Sequence, residues 1–204
     1  MSRWTEAEAR SWWAARPWPC GFNYVPSSAV NFLEMWQADS FDPATIAREL
    51  GWAADLGFNT VRLNLHYLIW KHDRDGLIDR LDRVMGIAER LGISTIPVPF
   101  DDCGFGGAEP VYGPQPDPVP GVHNSRAVAS PGRAVLAEGR ERDGLRAYLA
   151  DLVGQFRTDR RVLMWDLYNE PGNRMIFSAG GYAVFEPDFT PQSIALMRDC
   201  FAIA

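Results

Sequence analysis

An amide and a carboxylate stand side by side at the end of an apolar run, in the segment RVLMWDLYNEPGN from Arg161 to Asn173. The carboxylate is Glu170, and Pro171 after it favours an extended backbone at Glu170. A carboxylate held in this way above an apolar floor loses hydration, which raises its pKa towards the range that a general acid needs. A solvated carboxylate at a strand end is the simpler alternative, because charged side chains are mostly exposed.

Further candidates lie at the ends of other short apolar runs. Strands are predicted near residues 21–25, 58–65, 93–100 and 162–169. In parallel α/β folds, functional residues collect at the carboxyl ends of the strands, where the loops converge. Besides Asn169 and Glu170, the polar residues at these ends are Asn23, Tyr24, Arg62, Asn64, His66, Tyr67, Asp101 and Asp102.

Amphipathic helices alternate with these strands. They are predicted near residues 44–57, 79–92, 144–157 and 190–204, the first with Asp42 at its N-cap and Pro43 in its first turn. Residues 101–137 are rich in Gly and Pro and are predicted to form a long loop, a feature that is usually functional or disordered. Four β-then-α units indicate an α/β fold with a parallel sheet and right-handed crossovers. The length and the 47% hydrophobic content fit one domain over residues 1–204.

Two architectures fit this alternation of strands and helices. An open doubly wound sheet predicts a glycine-rich turn after the first strand, where a nucleotide would bind. The segment that follows that strand, Pro26–Phe41, contains no glycine, which disfavours this option. The other architecture is a parallel-stranded (β/α)8 barrel of the TIM type. Four units would form half of such a barrel, because the fold needs roughly 250 residues.

Three segments resemble one enzyme clan. The segment WDLYNEPGN is similar to the fourth-strand signature of clan A glycoside hydrolases, which are retaining (β/α)8 enzymes. The segments GFNTVRLNL and GFNYVPS resemble the second and first strands of these enzymes. The resemblance covers most of Cys20–Asn173 and is closest to the family-5-like group of cellulases, mannanases, xylanases and β-glycosidases. Many relatives carry a His near the end of the third strand, where this chain has Phe100-Asp101-Asp102.

The resemblance implies a role for each matching residue. Glu170 would be the acid/base catalyst, and Asn169 would hydrogen-bond the sugar 2-hydroxyl, a contact that strengthens in the transition state. Arg62 would be a fixed cation below the site; a structural ion pair with Asp166 is the alternative. The family places its nucleophile at the end of a seventh strand, beyond Ala204. We therefore expect this chain to be the N-terminal half of a truncated barrel that need not be active alone.

The remaining candidates are assigned to substrate binding. Asn23, Tyr67, Asp101 and Asp102 follow from their places at strand ends. His66 fits either a sugar site or an ordinary hydrogen-bonded histidine. Trp36, Trp70 and Tyr112 fit either sugar platforms or packing, because stacking and burial use the same aromatic face.

Composition argues against other classes of partner. The net charge is −6 without a basic block, so neither a nucleic acid nor an anionic membrane surface is expected. The chain shows no signal-peptide pattern and no apolar run of about 18 residues, which favours a cytoplasmic location. Cys20, Cys103 and Cys200 are widely spaced, and two adjacent acids make a poor metal site, so no disulfide, metal or cofactor is predicted.

Two other functions remain open. A non-catalytic half barrel would bind carbohydrate without turning it over. An unrelated TIM-barrel lyase or aldolase would usually show a strand-end Lys or a metal triad, and the only lysine of the chain, Lys71, is predicted to lie in a loop. The open edges of a half barrel would also allow it to associate with another copy of the chain.

Overall fold

A computed structural model describes residues 3–204, so the first two residues of the predicted domain lie outside the described range. In chain order the elements are α1 (Glu6–Ala14), β1 (Gly21–Asn23), α2 (Phe32–Trp36), α3 (Pro43–Asp55), β2 (Thr60–Asn64), α4 (Tyr67–His72), α5 (Arg74–Arg90), β3 (Ser94–Val98), β4 (Phe100–Asp101), α6 (Arg133–Ala137), α7 (Arg142–Phe156), β5 (Tyr168–Asn169), β6 (Met175–Ser178), β7 (Gly181–Val184) and α8 (Thr190–Ile203).

The strands that carry the candidate residues are parallel. β1, β2 and β3 form one sheet in that order, and its register places Asn23 beside Arg62 and Arg62 beside Ile96. β4 pairs in parallel with β5, where Asp101 lies beside Asn169. The predicted α/β class with parallel strands is confirmed, while the half barrel stays a prediction.

The predicted fourth strand, residues 162–169, has strand pairing only at its two ends. Val162 forms an isolated parallel bridge with Thr95, and regular pairing returns at β5. Between them Asp166 still donates its backbone N–H to the carbonyl oxygen of Pro97 at 3.2 Å. Pro97 and Pro99 have no N–H to donate in return, which explains why the ladder is interrupted.

The four predicted helices are present with shifted boundaries. Asp42 caps α3 by accepting the N–H groups of Ala44 and Thr45 at 3.1 and 3.0 Å, as its position before Pro43 predicts. α5 begins at Arg74, five residues before the predicted start, because Asp73 caps it by accepting the N–H of Gly76 at 3.2 Å. Gly76 lies in this first turn, and because glycine has a low helix propensity, the sequence did not predict that the helix begins here.

Several elements are absent from the sequence prediction. They are the N-terminal helix α1, the short helices α2, α4 and α6, and the antiparallel hairpin of β6 and β7. For α1 a signal existed: Thr5 and Glu8 form a capping box in which each side chain accepts the backbone N–H of the other residue. The predicted 101–137 loop contains the last residue of β4 and all of α6, and most of the rest is irregular.

The two faces of the sheet differ in burial. Val61 and Leu63 of β2 are fully buried in a core shared with α3, α5 and α7. Because side chains alternate along a strand, Arg62 lies on the opposite face, together with Asn23 and Ile96 at the same register. Arg62 and Ile96 are only partly buried.

Across residues 3–204 no helix combines the length and the apolarity that a membrane span requires.

Candidate functional site

A cleft of about 470 Å³ lies at the carboxyl ends of the parallel strands. It brings together the strand-end residues that the sequence singles out with residues of the loop after β4. Its lining includes Asn23, Asn31, Arg62, Asn64, Asp101, Cys103, Phe105, His123, Asn169 and Glu170. Among the strand-end candidates, six therefore share this cleft: Asn23, Arg62, Asn64, Asp101, Asn169 and Glu170.

Arg62 joins three strand ends through its guanidinium group. Its Nε donates to Asp166 Oδ2 at 2.9 Å, and Nη2 binds the same oxygen. Nη1 donates to Asn23 Oδ1 at 3.1 Å, and Nη2 also donates to Asn169 Oδ1 at 2.8 Å. The structural ion pair with Asp166 is thus present, and the same guanidinium also orients Asn169.

Asn169 is held from both ends of its amide. Its Nδ2 donates to Asp101 Oδ1 at 2.9 Å and to Cys103 Sγ at 3.2 Å. Asp101 also accepts Asn64 Nδ2 at 2.6 Å and the backbone N–H of Cys103 at 2.7 Å. Burial raises the pKa of Asp101, which is 4% exposed. The donors around Asp101 compensate part of this desolvation.

Glu170 differs from two expectations. Its φ of 45° is left-handed, so the extended conformation predicted from Pro171 is wrong. Its side chain is exposed, so the predicted desolvation is wrong as well, and the simpler alternative of a solvated carboxylate fits better. Glu170 nevertheless lines the cleft, where its Oε2 accepts Asn173 Nδ2 at 2.6 Å.

Asp102 is buried and does not line the cleft, so its predicted contact with substrate is corrected. Its carboxylate accepts the hydroxyl of Tyr168 at 2.9 Å, the hydroxyl of Ser193 at 2.7 Å and the backbone N–H of Gly172 at 2.6 Å. Burial raises the pKa of Asp102 to about 6, against the lowering effect of these three donors.

His66 and Tyr67 are also structural in this fold. The His66 ring is 0% exposed, and its Nδ1 accepts the N–H of Leu68 at 3.1 Å as the cap of α4. Its Nε2 lies 3.1 Å from the carbonyl oxygen of Ala129, and burial lowers the pKa of His66 to about 3. Tyr67 is buried and donates its hydroxyl to Glu141 at 2.8 Å. Neither residue lines the cleft, so both predicted sugar contacts are corrected.

The two tryptophans predicted as sugar platforms pack elsewhere. Trp36 is 0% exposed and donates its indole N–H to the carbonyl oxygen of Asn64 at 2.6 Å. Trp70 stacks on Tyr67 and donates to Asp151 at 2.7 Å. Their aromatic faces are used for packing, so the platform prediction is corrected for both.

Sequence reasoning missed several residues of the cleft. Cys103 contacts Asn169, while Phe105 and His123 pair at 5.9 Å between ring centroids. Phe105 also packs on Phe177 of β6 at 5.0 Å, which ties the long loop to the hairpin. The length of the loop was the only signal for these residues, because an irregular loop has no periodicity that places single side chains. Within residues 3–204 no group of three or more His, Cys, Asp or Glu side chains is arranged to hold a metal ion.

No protein-family model matches the chain, and no curated protein matches it significantly. Two solved structures share its fold. One is a GH5_18 protein from Streptomyces cattleya in complex with GlcNAc, with 18% identity and a TM-score of 0.59 over 91% of this chain and 41% of that chain. The other is the exo-β-1,4-mannosidase Op5Man5 from Opitutaceae bacterium strain TAV5, with 21% identity and a TM-score of 0.60 over 91% of this chain and 29% of that chain. At these identities the likeness concerns the fold alone. The chain thus spans less than half of two glycoside hydrolases and shares the fold of that part.

Proposed function

We propose that the chain is the N-terminal part of a glycoside hydrolase that cleaves the O-glycosidic bonds of β-linked sugars with retention. The observation that carries this proposal is the cleft that Glu170 lines together with Asn169, the residue before it at the end of a parallel strand, and Arg62, whose guanidinium binds Asn169. The fold shared with two glycoside hydrolases supports the proposal. So does the resemblance of the segment WDLYNEPGN to the fourth-strand signature of clan A glycoside hydrolases.

Glu170 is the acid/base catalyst in this proposal. As the acid, it donates a proton to the departing glycosidic oxygen; as the base, it then removes a proton from the water that attacks the covalent intermediate. Its exposure in the open cleft leaves room for a sugar ring against the carboxylate. A bound sugar excludes water from Glu170 and brings the two oxygens within hydrogen-bonding reach.

Asn169 binds the sugar 2-hydroxyl in this proposal. Its Oδ1 already accepts Arg62 Nη2, and we assign the sugar contact to Nδ2, from which the hydroxyl accepts. One Nδ2 hydrogen bonds the Asp101 carboxylate, and the other meets the sulfur of Cys103, a weak acceptor. The sugar oxygen replaces this weak contact with a stronger one. Arg62 is then a positioning residue, because it fixes which end of the amide faces the sugar.

The nucleophile is not provided by the other carboxylate of the cleft. Among the described lining residues that carboxylate is Asp101, which is 4% exposed and already accepts three donors. A retaining enzyme needs a second, accessible carboxylate about 5–5.5 Å from the acid/base. We therefore propose that the nucleophile lies outside the 204 residues and that the chain alone has no efficient double displacement.

The substrate is a neutral carbohydrate. The cationic group of the cleft, Arg62, is neutralised by Asp166, so it is not available to an anionic sugar. Asparagine side chains recur in the lining, at Asn23, Asn64 and Asn169 among others. An amide offers donors and an acceptor, which matches the mixed hydrogen bonding of sugar hydroxyls.

A non-catalytic carbohydrate-binding role is the second candidate, and the lack of an accessible second carboxylate among the described cleft residues favours it. It predicts sugar affinity that does not change with Glu170→Gln. A Schiff-base lyase or aldolase loses support, because Lys71 binds Glu141 at 2.7 Å and does not line the cleft.

We also propose weak self-association through the edges of the sheet. Within the described residues, β1 pairs only with β2, and no strand covers the far side of the 162–169 segment. Unpaired strand edges are templates for pairing with another chain. Sedimentation velocity over a concentration series should show a rising weight-average mass, whereas a monomer at every concentration would contradict this part of the proposal.

Azide provides a test of the catalytic role in the chain as it stands. It replaces the missing nucleophile: azide attacks the anomeric carbon while the aryl oxygen leaves, and the product is a glycosyl azide of inverted configuration. The phenol oxygen needs a proton from Glu170 as it leaves, whereas dinitrophenolate, a much weaker base, leaves without one. We expect azide-dependent release from both aryl β-glycosides, with Glu170→Gln slowing release of phenol by roughly 100-fold or more and of dinitrophenol much less.

The matched control is Glu186→Gln, which removes an exposed carboxylate bound to Arg174 outside the cleft. It should leave both rates unchanged. Absence of azide-dependent release together with sugar binding that is insensitive to Glu170→Gln would favour the binding role. Absence of both release and binding would refute the proposed function.

A further inference from the structure

The turn that carries Glu170 is held by three consecutive residues, Asp101 at the end of β4 and the two residues that follow it. Asp101 accepts the side chain of Asn169, Asp102 accepts the backbone N–H of Gly172, and Cys103 Sγ lies 3.2 Å from Asn169 Nδ2 and 3.8 Å from Asn173 Nδ2. Asn173 in turn donates to the Glu170 carboxylate. Each residue of this segment, Asp101–Cys103, therefore contacts the turn of residues 169–173.

The turn needs such support because its backbone is strained. Glu170 has a φ of 45°, a region in which non-glycine residues are uncommon and which persists only where the surroundings impose it. Two residues later, Gly172 has a φ of 89° and lies against the start of α8, where an added Cβ would be 2.8 Å from the side chain of Thr190. Gly172 is thus fixed on one side by its close approach to Thr190 and on the other by the hydrogen bond from its N–H to Asp102.

Asp102 connects the 169–173 turn to α8 and to Tyr168 of β5. Its Oδ2 accepts both Gly172 N–H at 2.6 Å and the Ser193 hydroxyl at 2.7 Å, so one oxygen connects the turn to α8. Its Oδ1 accepts the Tyr168 hydroxyl at 2.9 Å, just before the turn begins. Asp102 is 0% exposed, and the guanidinium of Arg133 in α6 donates its Nε–H to the Asp102 carbonyl oxygen at 3.3 Å.

We infer that Asp102 is a positioning residue that holds the 169–173 turn and thereby aims the Glu170 carboxylate into the cleft. The inference rests on the proposed function, because aiming matters only if Glu170 acts on a ligand. Asp102 itself does not touch the cleft, so its effect reaches the substrate through Gly172, Asn173 and Glu170. A charged acceptor gives the backbone N–H a shorter and stronger bond than a neutral one would.

NMR of the unaltered 204-residue chain tests the contact without any need for activity. The titratable or charged groups that face Asp102 are Tyr168 of β5, Arg133 of α6 and its neighbour Asp101. As Asp102 ionises, the Gly172 amide proton should move downfield with a midpoint at about pH 6. A Gly172 amide proton that does not shift as Asp102 titrates would overturn the inference, and this measurement does not depend on a variant that folds.

Two variants separate aiming from simple support of α8. Asp102→Asn leaves one acceptor oxygen for three donors, so the Gly172 bond weakens, and the signals of Asn173 Nδ2 and the Glu170 carboxyl carbon should shift. Ser193→Ala removes another donor to the same carboxylate oxygen without touching the turn, so these two signals should stay in place. Equal shifts in both variants would mean that Asp102 only docks α8, which would overturn the inference.

The azide reaction gives the functional result. Asp102→Asn should lower kcat for phenyl β-glycosides by roughly 100-fold with KM nearly unchanged, because a small misplacement of Glu170 affects the transition state more than binding. Unchanged kcat in Asp102→Asn would overturn the inference while leaving the proposed function intact. If no variant and no wild-type chain binds or cleaves sugars, the proposed function fails, and the aiming role falls with it even where the Gly172 contact is observed.

Discussion

Replacing Arg62 by Met should lower the free energy of unfolding and release the Asn169 side chain that Arg62 orients in the cleft. Met has a similar length and no charge, so the substitution removes the guanidinium with little change in volume. The four hydrogen bonds from Arg62 to Asp166, Asn23 and Asn169 are lost. The Asp166 carboxylate then keeps its charge without a partner, and the amide of Asn169 is no longer fixed.

The size of the effect follows from the burial of the pair. Breaking a fully buried ion pair costs about 3–5 kcal/mol, and exposed pairs contribute at most about 1 kcal/mol. The side chains of Arg62 and Asp166 are 20% and 35% exposed, between these two limits. Water can rehydrate part of Asp166, so we expect a loss of about 2–3 kcal/mol in the free energy of unfolding.

Urea denaturation followed by tryptophan fluorescence measures this loss. With an m-value of about 2–3 kcal/mol/M, the midpoint should fall by about 1 M. The matched control is Arg10→Met, which breaks an exposed pair with Glu6 whose side chains are 79% and 78% exposed and should leave the midpoint unchanged. Equal midpoints for Arg62→Met and Arg10→Met would refute the view that Arg62 ties the strand ends together.

Two further predictions concern residues that the structure assigns to the core. His66 has its pKa lowered by burial to about 3, so it stabilises the fold at pH values above its unfolded pKa and loses this contribution as the pH falls. Urea titrations of wild type and His66→Asn measure this effect. The difference between their free energies of unfolding should shrink by about 2 kcal/mol from about pH 7.5 to about pH 5. A constant difference would show that His66 is not buried in its neutral form. Trp36→Phe removes the buried indole bond to Asn64 and should cost about 1–3 kcal/mol without changing sugar affinity, whereas Trp52→Phe at an exposed position should cost little. A loss of sugar affinity in Trp36→Phe with unchanged stability would restore Trp36 as a platform.

The sequence was informative where local physics decides the outcome. Asp42 before Pro43 predicts a helix start, and the cap and the helix are both present. The ends of parallel strands meet at one edge of a sheet, which is why Asn23, Arg62 and Asn169 could be grouped from sequence alone. The predicted strand at residues 162–169 was only partly right, because Pro97 and Pro99 of the neighbouring chain segment interrupt its pairing.

The direction of a single side chain could not be read in the same way. His66 lies just after a strand that contributes to the cleft, but it turns inward to cap α4 and bind Ala129. Trp36 is an aromatic residue of the type that stacks on sugars, but its side chain is buried in the core. The left-handed φ of Glu170 occurs in a turn that binds Asp102 through Gly172 and is closed by Asn173, and a rule about the residue before proline takes neither contact into account.

A titration of the ¹⁵N-labelled chain with a neutral β-1,4-linked disaccharide tests most directly whether this cleft binds sugar. We expect the side-chain amides of Asn169 and Asn23 and the backbone amide of Glu170 to show the largest shifts, and these shifts to saturate. Sugar binding in this cleft would be contradicted if these signals stayed still at disaccharide concentrations well above those that saturate ordinary sugar sites, or if the shifts clustered instead in the groove between α6, α7 and α8.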